Sequence, residues 1–180
     1  MKMKSYEEKS KAVKMTVCVL TILLAVVLAA GLLPQSAYAS ATKSTGAAKK
    51  ITVYAGGKMV KRSGYWVKDT RNSKKRVAMV PLGQTAANLG LKVRKSGKSK
   101  KDVTVTGAPM YMQFRIGEDG YSFTTSNPNL CGATGLIRYG AAAAVRGGRI
   151  YVPARVYTGV YMQDSAVRIK GNTVVITAVK

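Results

Sequence analysis

The chain has 180 residues, with 30 Lys and Arg against seven Asp and Glu, a formal net charge of +23 and a pI near 10.3. That length allows one domain, and that charge biases the protein toward polyanionic partners. Histidine is absent and only two cysteines occur, so the imidazole that zinc hydrolases and cysteine proteases ordinarily use is missing.

Residues 1–14 are polar and lysine-rich, and Met15 to Leu33 is apolar except for Thr16, Thr21 and Gly31, with Pro34 ending the run. Ala37-Tyr38-Ala39 before Ser40 is a small-x-small cleavage site, so residues 1–39 read as a secretory signal peptide. The same run meets the roughly 18 apolar residues a membrane anchor needs. Either way the rest is exported, to the extracellular space or the cell wall, or stays membrane-anchored if the leader is not cleaved. From Ser40 onward there are 25 basic and five acidic residues, a net of +20.

Residues 40–50 are small, polar and basic, a linker. Ile51-Thr52-Val53-Tyr54, Gly56-Gly57 and Lys58-Met59-Val60 predict a hairpin, and Tyr65-Trp66-Val67 another strand. Asp69 to Arg76 is a polar, basic loop. Ala78-Met79-Val80-Pro81 then puts a strand before a proline, and Leu82, Ala86 and Leu89 follow at helical spacing, with Gly90 placed to cap the helix. Leu91-Lys92-Val93 and Val103-Thr104-Val105 predict strands. Met110, Met112, Phe114 and Ile116 share one face of a further strand, and Glu118-Asp119-Gly120 turns it into Tyr121-Ser122-Phe123. Those methionines read as core rather than as soft copper ligands.

Thr124 to Gly135 reads as a long loop carrying Cys131, and Gly140 to Val145 as a strand. Arg146-Gly147-Gly148-Arg149 is a turn. Ile150-Tyr151-Val152-Pro153 repeats the strand-to-proline pattern, with a helix expected from Pro153 through Val156, Tyr157, Val160 and Tyr161. Gly171-Asn172 between two β-branched runs closes the chain with a hairpin. Pro81 and Pro153 stand 72 positions apart, so an internal duplication is expected, with half-units of about 51–107 and 108–180.

Gly148-Arg149-Ile150-Tyr151-Val152-Pro153-Ala154-Arg155 resembles the Gly-Arg-x-aromatic-Val-Pro-Leu-Arg signature of the copper amine oxidase N-terminal-like (stalk) domain family. Val80-Pro81-Leu82 through Ala86-Ala87-Asn88-Leu89-Gly90 is similar to that signature's helix and its Leu-Gly ending, and Phe114-Arg115-Ile116-Gly117 to its middle strand and turn. The resemblance covers roughly Ile51 to Thr177. It departs at Gly83, where the family usually has Arg. It departs again at Tyr161-Met162, which replaces Leu-Gly, and in lacking the Trp-Asp that often follows. The resemblance is to a non-catalytic domain, often found on Gram-positive-type cell surfaces. The catalytic core of copper amine oxidases needs histidine ligands and a quinone-forming tyrosine in Asn-Tyr-Asp/Glu, and neither occurs here.

The expected fold class is α+β, an antiparallel sheet built from hairpins with one or two short helices packed on it. Leu82, Ala86, Leu89, Val156 and Val160 are expected to pack against Val105, Phe114, Ile116, Val174 and Ile176. The carboxylates beyond the leader are Asp69, Asp102, Glu118, Asp119 and Asp164, mostly in predicted turns, so a non-enzyme without cofactor or metal is expected. The expected function is an exported cell-envelope module that binds anionic wall polymers. Contact candidates are Lys92, Arg94, Lys95, Lys98, Lys100 and Lys101, together with Arg71, Lys74, Lys75 and Arg76; Arg146, Arg149 and Arg155 come next. A solvated hairpin loop is the competing reading of Lys92–Lys101. No small-molecule substrate is evident, and nucleic acid would bind only non-specifically, since no base-reading motif appears. The alternative function is a protein-interaction or assembly domain, acting through a sheet edge or Cys131.

Overall fold

A computed structural model describes residues 50–178 of the chain. The leader, its cleavage site at Ala37, Ala39 and Ser40, and the linker up to residue 49 lie outside the described residues.

The fold is α+β. Strands β1 (Lys50–Ala55), β2 (Lys58–Met59), β3 (Gly64–Lys68), β4 (Arg76–Pro81), β9 (Ala144–Arg146), β10 (Arg149–Pro153), β11 (Val167–Lys170) and β12 (Thr173–Ile176) form one sheet, ordered β11-β12-β1-β3-β4-β10-β9 with β2 beside β1. Strands β5 (Lys92–Ser96), β6 (Asp102–Thr106), β7 (Met110–Arg115) and β8 (Tyr121–Thr125) form a second, antiparallel sheet in chain order. Each half of the chain, 51–107 and 108–180, supplies strands to both sheets.

The larger sheet departs from the all-antiparallel expectation at one place. β12 lies parallel to β1, with Val53 opposite Val174 and Ala55 opposite Ile176. Both strands alternate, so this register sends Ile51, Val53, Ala55, Val174 and Ile176 into one core, all fully hidden. Parallel neighbours need a long connection, and more than a hundred residues separate these two.

Towards the β9 end of this sheet β4 and β10 run antiparallel, with Val80 opposite Val152. Each ends in its proline and hands over to a short helix, α1 (Leu82–Asn88) after β4 and α2 (Val156–Tyr161) after β10. The second helix starts three residues later than the expected Pro153. There the Ala154 N–H donates to the Ala78 carbonyl (2.8 Å), which carries the pairing past the proline.

Both helices end in the same hydrogen-bond pattern. In α1 the Gly90 N–H donates to Ala87 O and the Leu91 N–H to Ala86 O; in α2 Met162 donates to Gly159 O and Gln163 to Thr158 O. This is the Schellman termination, which needs a left-handed residue just past the helix. Gly90 takes that conformation at φ +74°, and Met162, a residue with a Cβ, is forced to φ +54°. Tyr161-Met162 thus ends the second helix with the same backbone as Leu89-Gly90 at the first.

One core joins both sheets and both helices. Leu82, Ala86, Val156 and Val160 are fully buried with Val105, Met112, Phe123, Val174 and Ile176; Leu89 and Phe114 are buried with them, and Ile116 packs at the margin. Met110 and Met112 belong to this core. At about 1.5–3 kcal/mol for each buried large aliphatic or aromatic side chain, this packing is the main stabilising term. Among the described residues this core runs from Ile51 to Ile176.

The segment expected as a strand over Gly140–Val145 is extended ladder only at Ala144–Arg146. Before that it hydrogen-bonds the β7–β8 turn: Gly140 N–H donates to Asp119 Oδ2, Gly117 N–H to Ala143 O and Ala143 N–H to Glu118 O. The later part of the expected loop Thr124–Gly135 instead runs along β8 and continues past it, through isolated bridges at Thr124–Ala133 and Tyr121–Ile137. This covers the β8 edge of the smaller sheet. Among the described residues no helix is long and apolar enough to cross a membrane.

Candidate functional site

The two basic stretches singled out in the sequence fall on different sheets. Lys92, Arg94 and Lys95 lie on β5, the edge strand of the smaller sheet, and Lys98, Lys100 and Lys101 on the loop that joins it to β6; all six are exposed. Strand alternation sends Lys92 and Arg94 to the outer face and leaves Lys95 on the same side as half-buried Val93. Lysines on an edge, one of them on the core-facing side, discourage pairing with another chain's strand, so this row has a structural use of its own.

The second stretch, Arg71 to Arg76, connects β3 to β4 and is shaped by one carboxylate. Asp69 is buried. Its Oδ1 accepts the Arg71 backbone N–H (2.8 Å) and Arg71 Nε (3.2 Å), and its Oδ2 accepts Arg71 Nη2 (3.1 Å). The remaining Arg71 nitrogen, Nη1, donates to the Arg138 carbonyl (2.7 Å). Each Arg71 guanidinium nitrogen is therefore engaged by the protein, although the side chain stays half exposed. Hydrogen bonding from its guanidinium holds the Asp69 carboxyl below the usual carboxylate range, and the same bond holds Arg71 in its charged form.

Around this pair the chain closes a clamp. Thr70 N–H donates to the Gly140 carbonyl (2.8 Å), and the Asp119 carboxylate accepts the N–H groups of Tyr139 and Gly140 (2.9 Å each). Gly140 sits at φ +85°, and a Cβ there would overlap the Asp69 carboxylate. Only glycine satisfies both the left-handed backbone and the close approach.

Beside the clamp lies a groove of about 440 Å³. Lys75 and Arg76 line it together with Arg155 from the β10–α2 turn. Ile169, Val77, Ala154 and half-buried Tyr139 supply apolar surface between them. Tyr139 is held edge-on to Tyr121 (centroids 5.6 Å) and Phe123 (6.4 Å). Lys74 is exposed and does not line the groove, and Arg71 lines it with its charge already matched by Asp69. Arg155 thus joins Lys75 and Arg76, about 80 positions upstream, through the β4–β10 pairing. Arg146 instead lies over the Tyr65 ring, 4.8 Å from its centroid, on the outer face of the larger sheet.

The sequence placed Asp69 in a polar loop, and its burial was not legible there. The remaining carboxylates, except exposed Asp164, also have internal partners. Arg115 lies 3.8 Å from Asp102 and 3.7 Å from Glu118, and Asp119 accepts the two backbone N–H groups above. Among the described residues no three His, Cys, Asp or Glu side chains gather as a metal cluster.

Twenty-two Lys and Arg stand against five Asp and Glu in residues 50–178, a net of +17. Among the described residues only Arg71 and Arg115 lie within ion-pair distance of a carboxylate. The positive field is thus almost entirely unneutralised. Comparison with protein families, with curated proteins and with solved structures returned no match to this chain.

Proposed function

We propose that the protein is a non-catalytic, exported cell-envelope module that associates with anionic wall polymers through its basic surface. The observation that carries this reading is the net +17 of the folded part, with 20 of its 22 cations outside any ion pair among the described residues. Such a surface attracts a chain of phosphates by Coulomb forces and by release of the polymer's counterions, which makes the affinity salt-dependent. The leader pattern of residues 1–39 supports export.

The resemblance to copper amine oxidase N-terminal-like domains and the internal duplication belong to the same proposal. Their support is the recurrence of one unit: strand, proline, short helix and Schellman ending at Val80–Gly90 and again at Val152–Met162.

The test is retention of the Ser40–Lys180 protein on purified cell walls, with and without their teichoic acid, across a salt series. Retention that needs the anionic polymer and is released by salt supports the reading. No retention at about 0.15 M salt, where the Debye length is about 8 Å, overturns it.

A protein-interaction role is favoured by one observation, exposed Cys131 next to Leu130, which is 61% exposed. Concentration-dependent, reductant-sensitive dimerisation would support it.

A further inference from the structure

We propose that the groove between the β3–β4 connection and the β10–α2 turn is a dedicated binding site for a polyol-phosphate chain, gripped by Lys75, Arg76 and Arg155. This rests on the polyanion reading above and gives it a place and a ligand chemistry.

The three cations are exposed, and no carboxylate among the described residues lies within ion-pair distance of them. They converge on one concavity from two distant parts of the chain. Its volume falls in the range of roughly 300–1,000 Å³ usual for small-ligand sites. Two arginine forks suit phosphate oxygens geometrically, and the lysine adds a mobile point charge.

Asp69 also lines the groove and would otherwise repel an anion, but it is buried and its charge is matched by Arg71. The Asp69–Arg71–Gly140 clamp also fixes the wall that carries Lys75 and Arg76, so the site is formed before the ligand arrives. Val77, Ala154 and Ile169 line the groove with apolar surface, which suits the C–H faces of a polyol and strengthens cation–phosphate attraction by excluding water.

The same walls disfavour nucleic acid. Base binding relies on free aromatic faces. The one aromatic residue here, Tyr139, is half-buried and engaged with Tyr121 and Phe123.

The experiment titrates the Ser40–Lys180 protein with labelled poly(glycerol phosphate), and with single-stranded DNA of equal phosphate number, over a salt series. One variant carries Lys75→Ser, Arg76→Ser and Arg155→Ser. A second removes the same charge elsewhere, through Lys58→Ser, Lys61→Ser and Arg62→Ser, all exposed and outside the groove. The groove variant should bind poly(glycerol phosphate) about tenfold more weakly or worse, with the slope of log K against log salt reduced by about 2. The comparison variant should lose less than about threefold, as expected of long-range attraction alone.

Equal losses in the two variants overturn the groove and leave diffuse wall attraction standing. DNA bound as tightly as the polymer, with the same dependence on the groove, overturns the polyol-phosphate assignment. Absence of any binding by the unmodified protein overturns both this proposal and the reading beneath it. Should the triple groove variant fail to melt cooperatively, Arg155→Ser against Arg62→Ser carries the same comparison.

Discussion

Gly140 passes so close to Asp69 that a Cβ on Gly140 would occupy the space of the Asp69 carboxylate, and Gly140 is also held at φ +85°. The two residues are 71 positions apart, yet they lock the β3–β4 connection to the segment leading into β9. Gly140→Ala therefore meets two penalties, a left-handed backbone costing about 1–2 kcal/mol and a displaced buried carboxylate. We expect a Tm lowered by at least several degrees in a thermal melt, with the Lys75–Arg76 wall loosened. An unchanged Tm would show that the clamp does not hold this connection.

The Asp69–Arg71 pair gives stability a definite pH dependence. Hydrogen bonds from Arg71 lower the Asp69 pKa in the folded state. A depressed carboxyl pKa contributes stability that is fully present above the unfolded value of about 3.9 and is lost as pH falls through the folded value. Asp69→Asn should thus melt well below the unmodified protein at pH 7. The gap should narrow as pH falls below about 4. A gap that stays constant from pH 7 to 3 would contradict the assignment.

The two helix endings predict effects of opposite sign at corresponding positions. Met162 sits in the left-handed region with its side chain exposed, so Met162→Gly should relieve strain and raise stability by about 0.5–1 kcal/mol. A Cβ on Gly90 would meet nothing within 4 Å, so Gly90→Ala isolates the backbone cost and should lower stability by about 1 kcal/mol. Denaturant midpoints of the two variants measure both. Shifts of the same sign would mean that the endings do not share one backbone requirement.

Val152 lies fully hidden opposite Val80 in the larger sheet, and Ile176 is fully hidden on β12. Val152→Asp or Ile176→Asp buries a charge with no partner, a loss of about 4 kcal/mol or more against a typical total of about 5–15. Either variant should lose its cooperative unfolding transition. Near-normal melting of both would refute the core assignment.

What was readable in the chain was what depends on neighbours a few positions away. The alternation of Ile51, Val53 and Ala55, the turns at Gly56-Gly57, Gly147-Gly148 and Gly171-Asn172, and the strand-proline-helix units follow from side-chain period and allowed φ values, which act locally. The basic character of the surface is likewise a matter of composition. The parallel pairing of β1 with β12 was not readable, because alternation fixes which face of a strand is buried and leaves its partner open. Nor was the burial of Asp69, since a carboxylate in a basic loop goes inside only where Arg71 and the Gly140 backbone meet it. In the sequence Arg155 stands beside its own strand and helix, and only the antiparallel docking of β10 on β4 carries it across to Lys75 and Arg76. Local sterics and composition determined the elements and the charge. The choice of partners, and with it the groove, came from closing contacts across 70 or more residues, where packing complementarity decides and the local pattern is silent.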